Sequence, residues 1–274
     1  MAPKYFFEVE SEGWTRIRNW LNSQSPFVLF LDYDGTIVPI RKTPDAAVLS
    51  SKVRGLLCHL AEQPHIFPGL VTGRTLEDIK RMVPLKDIFY IANHGFQIVD
   101  SRTNWIHPDA KRLIPTFAKI ASMLKNNLRA FHGVTVENKR LTLSIHYRNL
   151  LGPFIPRVKN VIAGIVRSYN GLFRMTSGKK VVEVRPNVPW DKGRAVVKIL
   201  EMFNFKEKPL VVYIGDDRTD EDAFTCLLRS KAITIRVGQN HRSKAKCYVK
   251  STSEVQRLLE SMVSHLRAGQ RENK

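Results

Sequence analysis

Phe27-Val-Leu-Phe-Leu31 places five apolar residues in a row and ends at once in Asp32-Tyr-Asp-Gly-Thr36. An apolar run this short, closed by turn-forming residues, reads as a strand buried on both faces. The shape recurs at Pro209-Leu-Val-Val-Tyr-Ile214 before Gly215-Asp-Asp-Arg-Thr-Asp220. Weaker copies are Ile66–Thr72 before Gly73-Arg74, Ile88–Ala92 before Asn93-His-Gly95, and Ile233–Val237. Helical spacing fills the intervals, near residues 46–62, 75–82, 192–203 and 219–229, with a last helix near 253–267 and a first around Trp14, Ile17, Trp20 and Leu21. Alternating buried strands and helices predict an α/β fold with a doubly wound parallel sheet core of Rossmann-like type. In such a sheet ligands bind at the strand C-termini, and the polar clusters quoted above all follow a strand.

The middle of the chain follows another rule. From about 96 to 185 strand pairs surround helices: Phe96–Val99, a helix near 109–128, Gly133–Val136 with Leu141–Tyr147, a helix near 154–169, then Phe173–Met175 with Val181–Val184. Leu141-Thr-Leu-Ser-Ile-His-Tyr147 alternates, the mark of a sheet with one packed and one open face. The expectation is an inserted α+β cap domain at 107–184, with the core domain made of 1–106 and 185–274.

The chain has 274 residues and a formal charge of +19, from 44 Lys+Arg against 25 Asp+Glu. That excess points to polyanions or phosphorylated small molecules, or to a generally basic surface. Three cysteines are too few and too scattered for a disulfide framework or a zinc site and suit a reducing cytosol. The first residues lack a signal peptide's apolar run, and no stretch approaches a membrane span. The expectation is a soluble cytoplasmic protein with no membrane partner.

Asp32 and Asp34 lie two apart after one strand, and Asp216, Asp217 and Asp220 follow another. An Asp before Gly is often only a turn former, and Asp or Thr often only caps a helix. Two carboxylate clusters at one sheet edge, however, would repel each other without a cation between them. All-oxygen ligation with room for water and phosphate is Mg²⁺ chemistry.

Phe-Leu-Asp32-Tyr-Asp34-Gly-Thr36, Thr72-Gly-Arg74, Lys192 and Gly215-Asp-Asp-Arg-Thr-Asp220 resemble, in order, the four motifs of the haloacid-dehalogenase-like phosphatases. Asn93-His-Gly95, Val136-Glu-Asn-Lys139, His146-Tyr-Arg148, Gly178-Lys-Lys-Val-Val-Glu-Val-Arg-Pro186, Trp190-Asp-Lys-Gly193 and the run Asp216–Phe224 are similar to the trehalose-6-phosphate phosphatases, from about residue 27 to 250. The resemblance implies a phosphoric monoester hydrolase of trehalose biosynthesis, with Mg²⁺ as cofactor. Asp32 would be the nucleophile, forming an aspartyl-phosphate. Asp34 would be the general acid and then the base, its side chain free and its backbone carbonyl on the metal. Thr72 and Lys192 would bind the nonbridging oxygens. Asp32, Asp34 and Asp216, with Asp217 or Asp220, would hold the Mg²⁺. Gly73, Asn93 and His94 would line the core side of the substrate site, where Arg74 would either touch phosphate or serve instead as a cap or salt-bridge partner. From the cap, Glu137, Lys139, Lys179 and Glu183 would reach the sugar, with His146 and Arg148 beside them; surface ion pairing across the strands is the plainer alternative for this group.

The same chemistry on sucrose phosphate or mannosyl-phosphoglycerate is the nearest alternative, and the cap strings argue for trehalose 6-phosphate. A nucleic-acid-binding role would rest on charge alone, because no helix-turn-helix, zinc-finger or RNA-recognition signature is present. The expected partners are a small sugar phosphate and, functionally, a trehalose-phosphate synthase; a monomer is expected.

Overall fold

The computed structural model describes residues 2–8, 12–178 and 180–272. The first part of the chain gives β1 (Lys4–Tyr5), α1 (Glu12–Ser23), β2 (Phe27–Asp32), α2 (Ser51–Ala61), β3 (Ile66–Val71), α3 (Leu76–Met82), β4 (Phe89–Ala92), β5 (Gln97–Val99) and β6 (Asn104–Ile106). The middle gives α4 (Pro108–Arg112), α5 (Ile114–Leu128), β7 (Thr135–Asn138), β8 (Leu143–His146), α6 (Ile155–Arg167), β9 (Phe173–Gly178) and β10 (Val181–Pro186). The last part gives α7 (Lys192–Phe203), β11 (Leu210–Gly215), α8 (Asp220–Leu227), β12 (Ile233–Val237), β13 (Cys247–Val249) and α9 (Thr252–Glu272). Two compact units result, one made of the chain up to Trp105 and again from Trp190, the other of Ile106–Pro189.

The first unit is built on a sheet of order β1-β13-β12-β11-β2-β3-β4-β5-β6. β2 pairs in parallel with β11 on one side and β3 on the other. Its residues divide by parity. Phe27, Leu29 and Leu31 join a core with Ile17 of α1, Val53 and Leu57 of α2 and Leu258 and Met262 of α9. Val28 and Phe30 join the opposite core with Val196 and Ile199 of α7 and Phe224 of α8. A period of two with both faces apolar is what a sheet covered by helices on each side demands. Chain order reverses between β2 and β11, so the loops after them flank a crevice of the kind that binds ligands in open α/β sheets.

The second unit is an antiparallel sheet of order β7-β8-β10-β9. Leu143 and Ile145 of β8 and Val182 and Val184 of β10 pack with Phe117, Ile120 and Leu124 of α5 and Val158 and Ile162 of α6. The alternate residues, Ser144, His146, Glu183 and Arg185, form the other face.

Three readings of the sequence need correction. Gln97–Val99 does not belong with the middle segment: β5 runs antiparallel to β4 in the large sheet. The cause is Gly95, whose φ of 97° folds the chain straight back on β4. The helix expected over 109–128 is two helices, because Pro115 lacks the N–H that would continue α4 into α5 and belongs in a first turn. The helix expected from residue 46 starts at Ser51, where the Ser50 side chain accepts from the Val53 amide at 3.2 Å.

Candidate active site

β2 delivers Asp32 to the C-terminal edge of the sheet, where it is 5% exposed. Lys192, the first residue of α7, is buried and its Nζ donates to Asp32 Oδ1 at 2.7 Å and to Asp220 Oδ1 at 2.8 Å. Burial pushes the Asp32 carboxyl well up against the pull of Lys192, and the charges of Asp220 and Asp216 push the same way. Burial also presses on Lys192, but Asp220 and Asp32 outweigh it and hold the ammonium well above its usual range.

Asp216 opens the loop after β11, and its Oδ1 accepts from the Thr36 hydroxyl at 3.3 Å. Burial and the neighbouring Asp217 charge push the Asp216 carboxyl up to about 6. A side chain at Gly35 would collide with the Asp216 carboxylate, so glycine is what lets the two loops close on each other. Carboxylate oxygens of Asp32, Asp216 and Asp220 lie within 4.8 Å of one another. Oxygen-only donors this close, largely buried and matched by a single lysine, fit a hard divalent cation. The family described below carries the same implication of a divalent metal.

The other two acidic candidates behave differently. Asp220 Oδ1 accepts from Lys192 and from the Tyr213 hydroxyl, at 2.8 Å each, while its Oδ2 accepts from the amides of Asp216 and Asp217 at 3.0 Å each. It therefore fastens the loop as well as contributing charge, and burial pushes its carboxyl up to about 7 against the pull of Lys192. Asp217 Oδ1 accepts from the amides of Thr219 and Asp220 and from the Thr219 hydroxyl. Burial pushes its carboxyl up, but Lys192 and those hydrogen bonds outweigh it and hold it below the ordinary range.

Asp34 was expected to keep its side chain free. Arg74 instead grips it through Nε to Oδ2 and a terminal nitrogen to Oδ1, both at 2.7 Å. The same guanidinium donates to the Pro44 carbonyl at 2.9 Å and lies 5.3 Å from the centre of the Tyr33 ring. Arg74 thus braces the segment after β2. Thr72 is buried, and its hydroxyl accepts from the Arg74 amide at 3.2 Å. Asn93 and His94 are buried in a turn with left-handed φ of 50° and 57°, a region where Asn and His are among the commonest residues after glycine. The His94 ring fills the space a side chain at Gly73 would need.

In the second unit, Glu137, Ser144 and Glu183 stand opposite one another across three strands. Glu137 meets His146 Nε2 at 3.0 Å and Lys139 Nζ at 3.9 Å. Burial pushes the Glu137 carboxyl up, but the His146 hydrogen bond and the Lys139 charge outweigh it and leave it below its ordinary value. Glu183 Oε1 accepts from the Ser144 hydroxyl at 3.4 Å, and its Oε2 pairs with Arg185. Arg148 is exposed. Lys179 lies outside the described residues.

A family model described as trehalose-phosphatase matches residues 30–261, which contain every candidate named above. The chain belongs to the trehalose-phosphatase family. Trehalose-phosphate phosphatase B of Arabidopsis thaliana is 33% identical over 250 residues, covering 86% of this chain and 66% of that protein. Probable trehalose-phosphate phosphatase D of the same plant is 34% identical, covering 86% and 67%. The chain spans about two thirds of the length of these curated relatives. A crystal structure described as a trehalose-6-phosphate phosphatase related protein superimposes with a TM-score of 0.74 at 29% identity, covering 86% of this chain and 97% of that one. The α/β core of the trehalose-phosphatase and haloacid-dehalogenase type is thereby shown.

Sequence reasoning missed several side chains that touch these candidates. Tyr213 sits inside an apolar run and reads as core, and nothing short of the fold reveals its hydroxyl on Asp220. Arg185 was legible: it lies two residues after Glu183 in a strand, so both face the same way. Ser144, opposite both glutamates, follows from register alone.

Proposed function

We propose that this protein hydrolyses trehalose 6-phosphate to trehalose and inorganic phosphate, through an aspartyl-phosphate on Asp32 and with Mg²⁺ as cofactor. The observation that carries the reading is Asp32, buried at the end of β2 on the Lys192 ammonium and clustered with Asp216 and Asp220, within the stretch the family model matches. Asp32 attacks phosphorus and the bond to the sugar oxygen breaks. Asp34 gives that oxygen a proton, then takes one from the water that cleaves the acyl phosphate. Because Arg74 occupies both Asp34 oxygens, proton delivery requires that pair to part. Lys192 and the Thr72 hydroxyl supply fixed donors to the phosphoryl oxygens.

Asp32 and Asp216, with the Asp34 carbonyl, would hold the Mg²⁺, and Asp220 would set the loop that carries Asp216. When bound, Mg²⁺ offsets the repulsion between a carboxylate nucleophile and a dianionic phosphate. We read the segment 107–184 as the sugar-recognition cap, with Glu137, Lys139 and Glu183 as partners for sugar hydroxyls. A cytoplasmic location, a monomeric state and a functional link to a trehalose-phosphate synthase belong to the same reading. Phosphate release from a panel of sugar phosphates, with Mg²⁺ and with EDTA, tests it. Turnover of trehalose 6-phosphate that EDTA abolishes is expected. Preference for sucrose phosphate or mannosyl-phosphoglycerate would transfer the reading to another sugar, and metal-independent turnover would remove the cofactor.

A further inference from the structure

Asn93, His94 and Gly95 hold three consecutive left-handed φ values, 50°, 57° and 97°. Asn and His tolerate this region better than most side chains, but as single residues; three in succession are a conformation the surroundings impose. The turn is fixed at both ends. On one side the Asn93 amide donates to the Arg74 carbonyl at 2.8 Å and the His94 amide to the Thr72 carbonyl at 2.9 Å. On the other, the Trp190 indole N–H donates to the Gly95 carbonyl at 2.9 Å. Gly95 also lies so close to Ala195 and the Asp191 carbonyl that no side chain would fit. The Trp190 ring is held in turn by Trp105, ring centres 5.1 Å apart. Two residues on, Lys192 begins α7 and reaches Asp32 at 2.7 Å.

The Thr72–Arg74 loop and the start of α7 come from distant parts of the chain, yet both must present donors to one phosphoryl group. We propose that Trp190 is a positioning residue. Through its indole N–H it locks the left-handed turn, and the turn sets the Thr72–Arg74 loop against Lys192. Trp190 acts through the turn, and its place in catalysis rests on the hydrolytic reading above. A hydrogen-bond donor held on a strained carbonyl, backed by an aromatic neighbour, keeps the turn from relaxing into an ordinary conformation.

Trp190→Phe removes the N–H and keeps an aromatic ring; Trp105→Phe keeps the N–H and trims the stack. With trehalose 6-phosphate, Trp190→Phe is expected to lower kcat about tenfold with KM within about twofold of the parent, the signature of misplaced catalytic groups. Trp105→Phe is expected to stay within about twofold in both. Hydrogen exchange by mass spectrometry supplies a readout independent of turnover. Peptides covering residues 72–74 and 93–96 are expected to exchange faster in Trp190→Phe, with β2 and β11 unchanged. Unchanged exchange there overturns the proposal, whatever the activity. Faster exchange with kcat preserved overturns the link to catalysis, and an equal loss in Trp105→Phe assigns the effect to ring packing. A parent protein that releases no phosphate refutes the hydrolytic reading instead, and the exchange arm still decides the lock.

Discussion

Lys192 is the residue on which most of the charge balance rests. It is the cation that Asp32 and Asp220 share, and all three are buried. Removing one partner of a buried ionic cluster leaves uncompensated charge, which costs about 3–5 kcal/mol. Lys192→Met is therefore expected to lower the urea midpoint clearly and to abolish turnover, while Asp32→Asn abolishes turnover with the fold retained; circular dichroism and phosphate release separate the two. Tyr213→Phe takes one donor from Asp220, and a hydrogen bond to a charged group is worth about 1.5–3 kcal/mol, a loss the same urea titration would detect. The acidic string itself shows what spacing can reveal. Asp216, Asp217 and Asp220 were legible as one cluster, but which oxygens the backbone already uses was not. The turn into α8 gives Asp217 and Asp220 amide donors and leaves Asp216 with the Thr36 hydroxyl. Mg²⁺ at a hundred times its Kd should stabilise by about 2.7 kcal/mol. We expect that rise in Tm to vanish in Asp216→Asn and persist in Asp217→Asn.

At the level of elements, the parallel strands were readable because burial on both faces forces continuous apolar runs. The boundaries failed where a single residue overrode the pattern. Gly95 turned an expected strand of the middle segment into β5 of the large sheet, and Pro115 split one helix into two. The open face of the β7-β8-β10-β9 sheet was readable from alternation, down to the shared facing of Glu137 and Lys139. Its cross-strand pair of Glu137 with His146 was not, since a partner on β8 depends on register. That face carries a pH dependence. The folded Glu137 carboxyl sits below its ordinary value of 4.5. A depressed carboxyl stabilises fully above the unfolded value and loses that contribution as pH falls through the folded one. Thermal unfolding followed from about pH 5 down to about pH 3 should thus show a decline that Glu137→Gln makes shallower. An unaltered slope would mean that the His146 and Lys139 contacts contribute nothing to stability, as exposed pairs often do.

For the whole molecule, the +19 charge is the feature that the fold only partly absorbs. Among the described residues no helix is long and apolar enough to cross a membrane. Several cations are committed internally: Lys192 to two carboxylates, Arg74 to Asp34, Arg185 to Glu183, Arg236 to Glu221, and Lys246 to the carbonyls of Ser230 and Ala232. Those account for part of the basic stretch from Arg229 to Ser253 as loop fasteners. Between Glu137 and Glu183 the chain has nine Lys/Arg and no acid, and Arg140, Arg148 and Lys180 there are exposed. Exposed like charges of this kind interact weakly with any single neighbour, yet their summed field raises the encounter rate of an oppositely charged ligand. A dianionic sugar phosphate should feel that field over about a Debye length, roughly 10 Å at 0.1 M salt. Raising the salt at constant Mg²⁺ is accordingly expected to lower kcat/KM several-fold and leave kcat unchanged. Changing Arg140, Arg148 and Lys180 together to Gln should lower kcat/KM at low salt and flatten its salt dependence, because the charges that salt would screen are gone. Steering by this segment predicts that the parent and triple variant converge at high salt. A constant ratio between them at every salt concentration would instead assign these residues to direct contact with substrate.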